Sequence, residues 1–213
     1  YFRTIVKNES CSSDTSSVSY INVVSNTAGG NIIGSNEICS GENGDSLVLI
    51  NFNGSIINWE ESSDNGLSWS TIINSTDKYI YPPITNTLKF RVKVFNSPCP
   101  ISYSDVATIL VHPNPVASFN NDTVCQGLST SFINNSTLSS GTISSYTWDF
   151  SNGVGSVVNN PVYLFPNDLN YPVTLSVSTS KGCSNSISKN VPVKSNPNSS
   201  FSQNDVCDTI AMG

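Results

Sequence analysis

The chain has 213 residues, of which 11% are charged, and 9 Lys and Arg against 15 Asp and Glu leave a net charge of −6; a typical globular domain is about 25% charged. An acidic chain of this kind has nothing to neutralise a row of phosphates, which argues against nucleic acid as a partner. No apolar run approaches the ~20 residues that cross a bilayer, so no direct membrane insertion is expected.

Strand signals follow one another along the chain, separated by turn residues. Ser25-Asn-Thr-Ala-Gly-Gly30 closes a first short segment. Ser46-Leu-Val-Leu-Ile-Asn-Phe52 is the first run rich in β-branched and aromatic residues. It is followed by Leu88-Lys-Phe-Arg-Val-Lys-Val-Phe95 and Tyr171-Pro-Val-Thr-Leu-Ser-Val177, which alternate apolar and polar positions as half-buried strands do. Gly41-Glu-Asn-Gly44, Asp64-Asn-Gly66, Asn96-Ser-Pro-Cys-Pro100, Ser151-Asn-Gly153 and Lys181-Gly182 punctuate these runs. No stretch sustains a 3.6-residue apolar stripe. Short strands with turns every 8–12 residues predict an all-β chain of sandwiches. His112-Pro-Asn-Pro115 and Ser195-Asn-Pro-Asn198 are short joints. Proline stiffens such connections, so an extended rod of domains is expected.

The six cysteines, Cys11, Cys39, Cys99, Cys125, Cys183 and Cys207, lie 28, 60, 26, 58 and 24 residues apart. Successive short and long gaps combine to 88, 86, 84 and 82, the mark of a tandem array of ~100-residue domains. At an offset of 88 residues, Tyr1-Phe-Arg-Thr-Ile-Val-Lys-Asn-Glu-Ser-Cys11 lies over Lys89-Phe-Arg-Val-Lys-Val-Phe-Asn-Ser-Pro-Cys99, and five of the eleven positions are identical. The organisation expected is the closing hairpin of one repeat at 1–25, a full repeat at 26–111, a second at 112–194, and the start of a third at 195–213. The chain reads as a window on a longer protein, with no targeting segment visible. Six cysteines in so weakly charged a chain suit an oxidising, extracellular setting. No CxxC or Cys/His cluster favours a metal, and no cofactor is expected.

Trp59 in Ile56-Ile-Asn-Trp59, followed by Ser62-Ser-Asp-Asn-Gly-Leu-Ser-Trp69, resembles the immunoglobulin-like repeats of large secreted bacterial proteins. The Phe90-Arg91 strand entry resembles the aromatic-aromatic-Arg pattern of the same repeats. Tyr146-Thr-Trp-Asp-Phe-Ser-Asn-Gly153, with Pro161-Val-Tyr163 and Tyr171–Val177, resembles the PKD domain, whose hallmark is W-D-F-G-D-G. Ser-Asn stands here in place of the Gly-Asp that follows the Phe. The resemblance implies that Trp59 and Trp148 plug the cores and that Asp149 belongs with them, bracing the turn after it. The alternation of the two repeat types resembles the stalks of giant cell-surface proteins of Bacteroidota, exported by the type 9 secretion system and including gliding-motility adhesins.

An immunoglobulin-type strand order places Cys39 at one end of its sandwich and Cys99 at the other, over 20 Å away across a seven-residue strand, far beyond disulfide reach. The favoured pairing is therefore between repeats, Cys39 with Cys183. Cys99, Cys125, Cys11 and Cys207 would then pair with repeats outside the window. The alternatives are pairing within repeats, Cys39 with Cys99 and Cys125 with Cys183, and a pattern of Cys11–Cys39, Cys99–Cys125 and Cys183–Cys207.

Asp45-Ser46-Leu47, Asp122-Thr123-Val124 and Asp208-Thr209-Ile210 resemble the O-glycosylation acceptor of Bacteroidota, which makes Ser46, Thr123 and Thr209 candidate sugar sites. Trp69, Tyr79 and Tyr81 are candidate ligand contacts, since exposed aromatics anchor interfaces. One histidine, His112, read as solvated in a Pro-rich linker, cannot build a Ser/His/Asp set. No enzyme is expected. The reading is a structural stalk or filament segment of an extracellular, adhesin-like cell-surface protein, stiffened by short linkers and disulfides. Its expected partners are neighbouring repeats, copies of itself in a filament, or glycan and protein surfaces. The alternatives are a carbohydrate- or protein-binding module, or a noncatalytic spacer of a secreted hydrolase.

Overall fold

The structure is a computed structural model that describes residues 1–151 and 153–200. It divides into two compact units, Tyr1–His112 and the chain from Pro113 onward. Every regular element among the described residues is a strand. None of them is a helix long and apolar enough to cross a membrane.

The first unit opens with a hairpin of β1 (Ile5–Val6) and β2 (Asp14–Thr15). The 88-residue offset carries over from sequence to register. Ile5 pairs Thr15 and Val6 pairs Asp14, while Lys93 pairs Tyr103 and Val94 pairs Ser102. The turns agree as well: the Cys11 amide donates to the Asn8 carbonyl, and the Cys99 amide to the Asn96 carbonyl.

The sandwich that follows is built from β3 (Asn31–Ile33), β4 (Asn36–Cys39), β5 (Ser46–Ile50), β6 (Ser55–Ser62), β7 (Ser70–Ile72), β8 (Lys78–Ile80), β9 (Leu88–Phe95), β10 (Ser102–Tyr103) and β11 (Ala107–His112). One sheet has the order β3-β5-β8, the other β4-β11-β9-β6-β7 with β10 also on β9. The alternation in β9 turns Phe90, Val92 and Val94 fully inward and Lys89, Arg91 and Lys93 outward. These inward rows meet Leu47, Leu49, Trp59 and Ile109 in one core.

The second unit contains β12 (Phe119–Asn121), β13 (Val124–Cys125), β14 (Thr130–Asn134), β15 (Ile143–Asp149), β16 (Gly155–Ser156), β17 (Val162–Tyr163), β18 (Asn170–Thr179) and β19 (Ser184–Lys194). Its sheets run β12-β14-β17 and β13-β19-β18-β15-β16, the same order strand for strand as the first sandwich. Its core is more aromatic: Phe119, Phe132, Trp148, Phe150 and Phe165 are all at most 2% exposed. The two cores share no residue.

Candidate functional site

β4 and β13 do the same thing in their two sandwiches. Each is a short strand laid parallel to the last strand of the larger sheet, with Cys39 opposite His112 in one and Cys125 opposite Lys194 in the other. The next amide then donates to that partner's carbonyl, Ser40 to His112 at 2.9 Å and Gln126 to Lys194 at 2.8 Å. The chain turns away through Cys39-Ser-Gly41 and Cys125-Gln-Gly127. The Glu42 and Leu128 amides each donate to the cysteine carbonyl at 3.1 Å. Gly41 and Gly127 sit at φ 79° and 88°, a left-handed conformation that a Cβ disfavours.

Cys99 and Cys183 occupy the opposite ends. Cys99 lies in the turn beyond the end of β9, and Cys183 in the turn between β18 and β19. Cys39 is level with His112, which lies three residues past the Ile109–Leu88 pair at the start of β9. At ~3.3 Å per residue the length of β9 puts over 20 Å between the levels of Cys39 and Cys99. The 11 residues of β19 separate Cys125 from Cys183 by ~35 Å on the same rise. Cys39 and Cys183 are each in a disulfide, whereas Cys11, Cys99 and Cys125 are free thiols. The within-repeat pairs Cys39–Cys99 and Cys125–Cys183 are therefore not formed, and neither are Cys11–Cys39 and Cys99–Cys125. Strand length forbids the first two. Cys207 and Thr209 lie outside the described residues.

The outer face of the β6–β9 pair carries the most organised polar cluster. Glu60 lies directly across from Arg91, and the Arg91 Nε donates to Glu60 Oε2 at 2.6 Å. The guanidinium is stacked between two rings, 4.1 Å from the Trp69 centroid and 4.1 Å from the Tyr103 centroid. Trp69 is held there by the hairpin that precedes it. Asp64 accepts from the Ser68 hydroxyl at 2.5 Å, the Ser68 amide at 2.9 Å and the Ser62 hydroxyl at 2.7 Å. The Ser68 bonds foremost, with help from Ser62, hold the Asp64 carboxyl far below the usual carboxylate range. The Trp69 indole N–H closes the loop onto the Gly66 carbonyl at 3.2 Å.

Trp69, Tyr79 and Tyr81 do not form a stacking platform. Tyr81 is 1% exposed. The half-buried Tyr79 packs its ring between Trp59 and Phe90, at 5.7 and 5.9 Å; its hydroxyl pKa is raised by burial and by the nearby Glu61. Both tyrosines follow inward-facing rows at the edge of the smaller sheet, which overrides what their aromatic character suggests. Trp69 is the partly exposed member, and Arg91 covers a face of its ring. No sequence spacing links Tyr103, the other half of the stack, to Trp69; the pairing of β10 with β9 brings Tyr103 to the guanidinium that Trp69 covers from the β6–β7 hairpin.

Trp59 and Trp148 are fully buried as their motifs imply, and each indole donates to a loop carbonyl, Thr76 at 2.8 Å and Val158 at 3.0 Å. Asp149 is exposed rather than a core residue, because it follows Trp148 on the outward side of β15. It does brace the next turn, accepting the Ser151 amide at 2.8 Å. Thr123 is exposed, while Ser46 is half-buried opposite Ile80. His112 is not in a loose linker: it is the last residue of β11, with Nε2 2.9 Å from Glu37 Oε2. Among the described residues no three His, Cys, Asp or Glu side chains cluster as a metal would require.

Residues 28–113 match the model of a domain of unknown function, DUF8696. Residues 112–194 match the model of the PKD domain. No curated protein matches the chain. Among solved structures, the PKD1 domain of Vibrio anguillarum Epp is 35% identical, with 39% of this chain and 96% of that one covered and a TM-score of 0.37. The PKD1 domain from the Vibrio cholerae metalloprotease PrtV is 37% identical, with 38% and 98% covered and a TM-score of 0.36. Fibronectin(III)-like modules of Clostridium thermocellum CbhA are 11% identical over 82% of this chain and 99% of theirs, with a TM-score of 0.35. Residues 112–194 therefore read as a PKD domain, with Trp148 and Phe150 of the W-D-F segment buried at the centre of their sandwich.

Proposed function

We propose that the chain is a structural segment, a stalk or filament, of a large extracellular adhesin-like surface protein. In this reading its sandwiches are tied to one another by disulfides rather than stapled internally. The observation that carries it is the placement of the cysteines: in each sandwich they occupy opposite ends, one bonded and one free. A disulfide that cannot close inside a domain serves the joint between domains. On this reading Cys39 bonds Cys183, the short His112-Pro-Asn-Pro115 segment stiffens the same joint, and pulling force passes through strand ladders and sulfur. The alternation of immunoglobulin-like and PKD-like repeats supports a type 9 secretion substrate of Bacteroidota, of the gliding-adhesin kind, acting through neighbouring repeats and copies of itself.

Non-reducing peptide mapping tests this directly. A Cys39–Cys183 linked peptide is expected, and small-angle scattering of the oxidised chain should give an elongated particle. A Cys39–Cys99 peptide, or a particle no longer than one sandwich, refutes the stalk. Thr123, exposed beside Cys125, is the position at which a sugar is proposed. Intact mass of protein from its native source, compared with Thr123→Ala, reads this out.

A further inference from the structure

Cys125 stands in the second sandwich where Cys39 stands in the first: the same parallel strand end, the same register against the last strand, the same Cys-x-Gly turn. Cys183 and Cys99 likewise share the turn that follows the central strand. One member of each equivalent pair is bonded, and the other is a free, half-exposed thiol. We propose that Cys99 and Cys125 are the open halves of that same link. Cys125 takes a turn thiol of the Cys183 type, and Cys99 takes a strand-end thiol of the Cys39 type, each from another sandwich of this architecture.

This inference rests on the reading that Cys39 bonds Cys183, and it gives the link a direction. A strand-end cysteine always meets a turn cysteine, never its own kind, so the contact is heterologous and propagates along an array instead of closing as a symmetric dimer. Cys11 is a third turn thiol of this type: its amide donates to the Asn8 carbonyl as that of Cys99 does to the Asn96 carbonyl, and it too is free. Forming each link removes two protons and two electrons from two thiols. A protein disulfide donor or oxidised glutathione accepts them, its own S–S bond breaking to give two thiols, by exchange through a mixed disulfide. An extracellular or periplasmic compartment supplies such donors.

Two sources offer the complementary thiol, a neighbouring sandwich on the same polypeptide or another copy of this chain, and two arms separate them. In the first, the polypeptide from its native source is alkylated, digested without reductant and mapped. In the second, the 213-residue chain is oxidised with glutathione disulfide at high concentration and run on a non-reducing gel. Linkage of Cys99 to a strand-end peptide and of Cys125 to a turn peptide in the first arm supports the proposal with a neighbour as source. A ladder in the second arm that maps to Cys99–Cys125 supports it with another copy as source. In a background carrying Cys11→Ser and Cys207→Ser, that ladder should vanish on adding Cys99→Ser or Cys125→Ser separately and return as a single heterodimer when the two variants are mixed. Symmetric Cys99–Cys99 or Cys125–Cys125 products overturn the proposal. So do thiols that remain alkylatable in both arms. The Cys39–Cys183 peptide is scored separately on the same maps, so its absence refutes the stalk reading without being confused with the fate of Cys99 and Cys125. Unchanged tryptophan-monitored melting of each variant verifies that it is folded.

Discussion

Trp59 and Trp148 each fill the middle of a sandwich and turn their single polar atom onto a loop carbonyl, so neither leaves an orphan donor inside. Truncation removes both the packing and the loop tether. Trp59→Ala and Trp148→Ala are each expected to cost about 3–5 kcal/mol, read by denaturant titration. Arg91 behaves differently. Its guanidinium is enclosed by Trp69, Tyr103 and Glu60, so it ties an outer face together. A double-mutant cycle of Trp69→Ala and Arg91→Ala should give a coupling of roughly 0.5–1 kcal/mol, that of one cation–π face. Zero coupling removes the stack as a stabilising unit. The two core tryptophans were legible in sequence because W-D-F and the Trp-hairpin pattern name them locally. The burial of Tyr81 was not, since it follows from how its strand edge meets the facing sheet.

At the scale of the element, the Ser62–Trp69 hairpin owes its shape to one carboxylate. Because the Asp64 pKa is lowered on folding, its contribution is whole above the ordinary value of 3.8 and fades as pH falls through the depressed folded value. The Ser68 amide signal should therefore hold its position through the usual carboxylate range and shift only in stronger acid. In Asp64→Asn it should be displaced already at neutral pH. The β1–β2 hairpin presents the opposite case. Phe2 and Val6 are 65% and 66% exposed, whereas their register equivalents Phe90 and Val94 are fully buried. A two-stranded ribbon without a covered face is marginal in water. Amides of Ile5 and Val6 should exchange orders of magnitude faster than those of Val92 and Val94. Equal protection defeats this account. Leu88–Phe95 appears as a strand with the bounds its alternation predicts, because a period of two fixes one face inward. Ser46–Phe52 is shorter than its apolar run, ending at Ile50 ahead of Asn51 at φ 56°.

For the whole molecule, two cores without a common residue imply two cooperative transitions. Under reducing conditions Trp59→Ala should lower one melting step and leave the other in place, with Trp148→Ala doing the converse. A single step moved by either variant contradicts that independence. The sequence alone determined the repeat, its 88-residue register and the all-β class, because each depends on local alternation, turn residues and spacing that a linear chain displays. It also located the cysteines at domain ends, through strand order. Which of them are oxidised and which free, and that Tyr103 rather than Tyr79 or Tyr81 shares a face with Trp69, only the tertiary structure decided. Those outcomes depend on which strands lie side by side, and sheet pairing joins residues tens of positions apart whose side chains carry no mark of one another.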